Sequence, residues 1–184
     1  MIIGLKRNLK NWMLQQHMMT KIDLPNTWAY ENFISDEECA ALLKYCYSVR
    51  SYLRNNGDGR FYADHVISRL NPPKLFLDVK QRIIEIENFT EYELDSIFQD
   101  FISFNETGGA IHEHKDQNHP NKTHTRYNLL LSMPDKGGNP IYDGQVILVK
   151  EKMLWRCEAG KFNHASLPVE GTKPRINISF GFQL

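Results

Sequence analysis

Residues 175–183 alternate without a break. Ile176, Ile178, Phe180 and Phe182 fall on one side of an extended chain, and Arg175, Asn177, Ser179, Gly181 and Gln183 on the other. Patterning at period two dictates a β-strand with one apolar face. Its polar face admits two readings: it meets water, or it lines a polar cavity inside a barrel. The chain after Asn88 follows suit, with short β-type runs predicted at about 95–104, 110–115, 126–133, 144–150, 152–157 and 161–165 before the last strand. Turn signals separate them at Gly108-Gly109, at Asp135-Lys136-Gly137-Gly138 and at residues 170–174, which include Gly171 and Pro174.

Two helical patterns precede these strands. Ser35 with Glu38 three residues on forms a capping box. Cys39, Leu42, Leu43 and Cys46 then repeat at helical spacing, which predicts a helix over 36–48 with both cysteines on its core face. After Asn71-Pro72-Pro73, the residues Phe76, Val79, Ile83 and Ile86 predict a second helix over 74–87. Residues 50–70, rich in Arg, Gly, Asn and Asp, read as an irregular loop or hairpin. Residues 1–25 read as an N-terminal arm or an amphipathic helix. Helices followed by many short strands suggest a mainly β, α+β fold: a sandwich or jelly roll backed by helices. With 184 residues and no repeat or composition shift, one domain over 1–184 is expected, its β core at about 95–184.

Lys+Arg and Asp+Glu are both 22, so formal charge is zero and nothing favours a non-specific phosphate binder. No apolar run of membrane-spanning length occurs, and residues 1–19 lack the apolar core of a secretory signal. The three cysteines, Cys39, Cys46 and Cys157, have no metal-binding spacing. A reducing, cytoplasmic setting is expected.

The chemistry concentrates at residues 108–116. His114 and Asp116 are two apart, so a strand would point both the same way. An imidazole with a carboxylate suits a divalent metal such as Fe(II). His164 lies in a later β segment, and Arg175 opens the alternating strand. Two histidines and a carboxylate on one face of an iron leave three positions open. A bidentate 2-oxo acid can take two and dioxygen the third, with an arginine beyond the metal pairing the acid's distal carboxylate. Other residues have plainer readings. His112 shares the ideal-strand side of His114, so a cupin-like His-x-His pair stands beside a substrate-facing or surface role. His17, His65, His119 and His124 are expected in solvent. Cys157 reads as a buried thiol rather than a ligand.

The ordered set resembles the Fe(II)/2-oxoglutarate-dependent dioxygenases, and within them the prolyl 4-hydroxylase-like branch. The likeness runs from Phe33 to Leu184. It is carried by Phe33-Ile34-Ser35-Asp36-Glu37-Glu38-Cys39, by Phe104-Asn105-Glu106-Thr107-Gly108-Gly109 with His114-x-Asp116, and by Arg126-Tyr127-Asn128-Leu129-Leu130-Leu131 with Gly137-Gly138. His164, Val169-Glu170-Gly171 and Arg175-Ile176-Asn177-Ile178-Ser179-Phe180 complete it. The resemblance implies a double-stranded β-helix (jelly roll) with His114, Asp116 and His164 as iron ligands and as the catalytic centre. It implies Arg175 as the 2-oxoglutarate anchor, with Asn177 and Ser179 on the same face. That branch often places tyrosines against 2-oxoglutarate in the strands before and after the first metal histidine. Phe101 and Phe104, then Leu130, Ser132 or Met133, occupy those strands here, and Asn128 and Arg126 are the substitutes on offer.

The implied activity is Fe(II)-, 2-oxoglutarate- and O2-dependent hydroxylation of a C–H bond in a small molecule (an amino acid or natural product) or a protein side chain. Asp116 favours hydroxylation over halogenation, which needs that ligand position vacated. Arg60, Tyr62, His112 and Arg126 are candidate substrate contacts. Two other classes stay open. One is an AlkB-type nucleic-acid demethylase, disfavoured by the neutral charge and by Gly181 where that family has an arginine. The other is a non-catalytic jelly-roll binding module or a cupin-type enzyme that uses no 2-oxoglutarate.

Overall fold

The structure is a computed structural model that describes residues 19–22, 24, 26–63, 67–90, 93–94 and 99–184. His17, His65, the reading of 1–18 as arm or helix, and residues 95–98 of the first predicted strand lie outside them. The chain begins with strands β1 (Met19–Lys21) and β2 (Trp28–Tyr30), helix α1 (Asp36–Val49), and strands β3 (Arg54–Asn55) and β4 (Arg60–Ala63). Helix α2 (Lys74–Glu87) and strands β5 (Phe101–Asn105) and β6 (His124–Ser132) come next. Short strands β7 (Lys136–Gly137), β8 (Pro140–Tyr142), β9 (Gln145–Val146) and β10 (Leu154–Cys157) precede β11 (His164–Ser166), β12 (Val169–Glu170) and β13 (Arg175–Gln183).

Both helices start as the local chemistry dictates. The Ser35 hydroxyl accepts from the Glu38 amide, the Glu38 carboxylate accepts from the Ser35 amide, and three acidic residues fill the first turn of α1. Pro73 opens α2, and Asn88 closes it in the left-handed region at φ 60°. An ion pair between Glu38 and Arg82 ties the two helices together.

The strands form a jelly roll. The large antiparallel sheet has the order β1-β2-β10-β6-β13-β5-β4-β3, and the described residues add two smaller sheets, β11-β8-β9 and β12-β7. The faces of the large sheet have opposite characters. On the outer face Ile102, Phe104, Tyr127, Leu129, Ile176, Ile178, Phe180 and Phe182 pack under α1 and α2 in one apolar core. On the inner face Ser103, Arg126, Asn128, Arg175, Asn177 and Ser179 face a cavity that the β11-β8-β9 sheet helps enclose. All nine residues of β13 are buried, so its polar face lines a cavity rather than meeting water. A second, smaller core between the sheets includes Leu130, Tyr142, Ile147, Trp155 and Cys157.

Several expectations need correction. Residues 110–115 form only an isolated bridge, the paired bonds between His114 and His164, because their other backbone bond to β11 is the single one from Ser166 N to Ile111 O. The strand over 144–150 shrinks to β9. Its partner β8 lies just after the turn marked at 135–138, where no strand is expected because Pro140 and the preceding glycines mask a three-residue strand, and the marked turn itself holds β7. Residues 161–165 contribute only His164 and Ala165 to β11. Of the two readings of residues 50–70, the hairpin is the one found: β3–β4, which extends the sheet beyond β5. Among the described residues no helix is long and apolar enough to cross a membrane.

Phe180 is fully buried and its ring centroid lies 5.2 Å from that of Phe76 on α2. Phe180→Ala is expected to cost about 3–5 kcal/mol in urea unfolding, while Leu148→Ala, at a side chain 79% exposed, is expected to stay within about 0.5 kcal/mol. Equal losses at the two sites would contradict this placement of the core.

Candidate metal centre

The chain between β5 and β6 runs as an extended ribbon beside β12 and β11. Val169 N donates to Gly109 O at 3.0 Å, and Ser166 N donates to Ile111 O at 3.0 Å. His114 and His164 exchange a pair of backbone hydrogen bonds of 3.0 and 2.8 Å, and Asp116 N donates to Ala159 O at 3.0 Å. This pairing sets His114 opposite His164, while the two-residue step turns Asp116 the same way. The His114, Asp116 and His164 ligand atoms all lie within 4.8 Å of one another. The Nε2 atoms of His114 and His164 stand 3.4 and 3.8 Å from Asp116 Oδ1.

The tautomers follow from the backbone. His114 Nδ1 meets His112 O at 2.7 Å, and His164 Nδ1 meets Phe162 O at 3.4 Å. A carbonyl only accepts, so each Nδ1 carries a hydrogen and each Nε2 presents a lone pair. Two lone pairs and a carboxylate oxygen then converge, and such a cluster requires a cation. A metal ion or a proton can serve, and the two compete for the same lone pairs. The hydrogen bond to Asp116 raises the His114 pKa against its partial burial. Burial drives His164 down to about 4, so its imidazole is neutral near pH 7. Burial alone would raise the Asp116 pKa, but the His114 hydrogen bond and the charges nearby bring it below the ordinary aspartate value. Asp116 Oδ2 turns away toward His124 Nδ1 at 3.3 Å and Arg126 Nε at 3.8 Å, which leaves Oδ1 for the centre.

His124 is therefore not a solvated loop residue. It is fully buried at the start of β6, where Asn118 and Gly160 close over it. Its inward position was readable from the alternation 124-126-128, had the strand been started two residues earlier. His119 is only partly buried. His112 is exposed, outside the cavity wall, and contributes its carbonyl instead of its ring.

The centre opens into a cavity of about 260 Å³. Arg60, Tyr62, Phe101, Arg126 and Asn128 line it, as does Arg175, which is 2% exposed and whose pKa burial lowers to about 10. Arg175 therefore stays charged at neutral pH, and its Nε, like Asn177 Oδ1 and Ser179 Oγ, is buried without a hydrogen-bond partner. Asn177 Nδ2 donates to Asn128 Oδ1 at 3.3 Å. Phe104 faces the apolar core instead. The sequence reading missed Tyr142 and Trp155. Tyr142 pairs with His164 across β8 and β11, with ring centroids 5.7 Å apart. The Cys157 thiol donates to the Tyr142 hydroxyl at 2.7 Å, and burial pushes that thiol up to about 12, so it is no thiolate ligand.

No family model and no curated protein matches the chain. Solved structures do. A collagen prolyl hydroxylase of Paramecium bursaria Chlorella virus-1, solved as its 2-oxoglutarate complex, shares 14% identity at TM-score 0.64, over 88% of this chain and 98% of the viral one. A Trichoplax adhaerens prolyl hydroxylase, in complex with a hypoxia inducible factor peptide fragment, shares 13% at TM-score 0.67 over 98% and 91%. HygX of Streptomyces hygroscopicus, with nickel, 2-oxoglutarate and hygromycin B bound, shares 6% at TM-score 0.67 over 95% and 86%. The chain has the fold of these proteins.

The His114 proton must leave before a metal binds. Mn(II) affinity of the metal-free protein is therefore expected to be flat above the raised His114 pKa. Below it, affinity should fall by about tenfold per pH unit, with one proton released per ion. His164 adds nothing until far lower pH. An affinity that stays constant from pH 8 down to pH 5.5 would refute the His114–Asp116 pairing.

Proposed function

We propose that the protein is an Fe(II)- and 2-oxoglutarate-dependent dioxygenase. It hydroxylates a C–H bond of a small molecule or a protein side chain, acts as one domain over 1–184, and works in the cytoplasm. One observation carries the reading: three converging acceptors share a cavity with a buried arginine whose Nε has no partner. The donor set fits the metal, since two neutral imidazoles and one carboxylate suit Fe(II) and leave positions for exogenous ligands. The far wall fits the co-substrate, since a buried guanidinium without an anion calls for a carboxylate.

In this mechanism His114, Asp116 and His164 hold the iron. Arg175 pairs the distal carboxylate of 2-oxoglutarate, and Asn177, Ser179 and Asn128 offer it hydrogen bonds. Bound Fe(II) and 2-oxoglutarate supply the oxidising chemistry, in which O2 and 2-oxoglutarate are consumed, succinate and carbon dioxide leave, and one oxygen atom goes to the substrate carbon. The chain supplies position and dryness. His124 and Arg126 orient Asp116 through Oδ2, the carbonyls of His112 and Phe162 fix the imidazole tautomers, and Tyr142 and Trp155 help keep water from the inner cavity. Formal charge of zero gives no overall basic excess of the kind a non-specific nucleic-acid binder carries.

The test is an anaerobic titration with Fe(II) and then 2-oxoglutarate, followed by the visible charge-transfer absorption and, after O2 is admitted, by succinate. A saturable band at one equivalent is expected. Its absence in folded, iron-loaded protein would overturn the reading. Arg175→Ala is expected to weaken 2-oxoglutarate by about tenfold or more, as loss of a charged hydrogen-bond donor does, with iron still bound. Unchanged 2-oxoglutarate affinity would remove Arg175 as the anchor.

A further inference from the structure

Arg60 is not among the residues assigned above to the metal or the co-substrate, although it lines the same cavity. It stands on β4 opposite Asn105 of β5, and Asn105 stands opposite Arg175 of β13. Directly opposed residues share a face, so Arg60, Asn105 and Arg175 form one row on the inner face of the sheet. Two strand spacings separate the arginine backbones by roughly 10 Å. The next row is Tyr62, Ser103 and Asn177, all three lining the cavity. Arg60 Nε is buried without a hydrogen-bond partner, and among the described residues no carboxylate lies within 4.0 Å of this guanidinium. Its Cζ sits 5.1 Å from the Tyr62 ring centroid.

The charge inside the cavity is unbalanced. Arg60, Arg126 and Arg175 line it against one described carboxylate, Asp116. A metal dication and the 2-oxoglutarate dianion cancel each other, and Asp116 offsets one arginine. With Arg126 set against Asp116 and Arg175 against the co-substrate, the loaded site keeps the positive charge of Arg60, which favours an anion as the next arrival. Arg60 is placed to receive it, because its hairpin is fixed to the metal-bearing ribbon. Glu106 N donates to Gly59 O at 2.8 Å, and a Cβ on Gly109 would lie 2.6 Å from the same oxygen.

Resting on the dioxygenase reading, we propose that the oxidised substrate is a small anion whose carboxylate or phosphate group is bound by Arg60. The Tyr62 ring lies along its carbon frame, and the reacting carbon points toward His114, Asp116 and His164. The charge lies within the cavity, on the same row as the co-substrate anchor, which fits a small molecule entering whole.

The test uses the full chain loaded with Zn(II) and saturating 2-oxoglutarate. Binding of 2-oxoglutarate is measured first by calorimetry. Three probes then follow by 19F line broadening: 4-fluorophenylacetate, its carboxamide, and 4-fluorophenyl phosphate. At least one of the two anions is expected to bind about tenfold or more tightly than the carboxamide, and which of them does separates carboxylate from phosphate substrates. Arg60→Gln is expected to lose that margin, and Arg60→Lys to recover part of it, each checked for 2-oxoglutarate saturation in the same sample. If Arg60→Gln fails to fold, the comparison of anions with the carboxamide in the unaltered protein decides. Equal binding of anions and carboxamide, no binding of either anion, or anion binding unchanged in folded Arg60→Gln would overturn the assignment. Failure of 2-oxoglutarate itself to bind would instead bring down the dioxygenase reading, and this inference with it.

Discussion

Three hydrogen-bond acceptors that face one another need a positive charge between them. At this centre each imidazole is committed by its backbone partner, since His112 O and Phe162 O take the Nδ1 hydrogens. Asp116 is committed as well, with Oδ2 turned to His124 and Arg126. The remaining lone pairs have nowhere else to go. Much of the surrounding architecture holds this arrangement: the backbone exchange between His114 and His164, the Asp116 amide on Ala159, and the buried His124 beneath.

The large sheet does two incompatible jobs by keeping them on opposite faces. Its outer face is apolar and closes under two helices, so burial there is favourable by the ordinary hydrophobic term. Its inner face buries Arg175, Asn177, Ser179, Asn128 and Arg126, which costs stability wherever a polar group goes unpaired. Unpaired groups of this kind collect at ligand sites, where the bound molecule supplies the missing partner. The strict alternation of β13 is the sequence trace of this division.

What could be read beforehand depended on whether a signal was local. Both helices were legible because cap residues and 3.6-residue spacing sit within one segment. His114 and Asp116 alone are a weak signal; they were grouped with the later His164 and Arg175 through the resemblance of the ordered set of motifs, and the structure brings these four residues to one cavity. Strand β8 was not legible, since it follows the glycine turn at once, opens on Pro140, and its three residues gain strand character only from β11 and β9. Tyr142 went unseen with it. His124 was misread because a polar loop sequence surrounds it, while its burial comes from Asn118 and Gly160 folding back. The row from Arg60 through Asn105 to Arg175 depends on register between strands far apart in the chain, which no local pattern encodes.

Gly59 and Gly109 meet through backbone alone, with no room for a side chain on Gly109. The hairpin that carries Arg60 and Tyr62 is thus docked to the ribbon that carries His114 by a joint that ignores the identity of the side chains it presents. Substitutions on β4 can then change what this wall of the cavity presents, residue by residue, while the ribbon that carries His114 and Asp116 keeps its alignment. The joint separates the make-up of the cavity wall from the position of the three converging side chains.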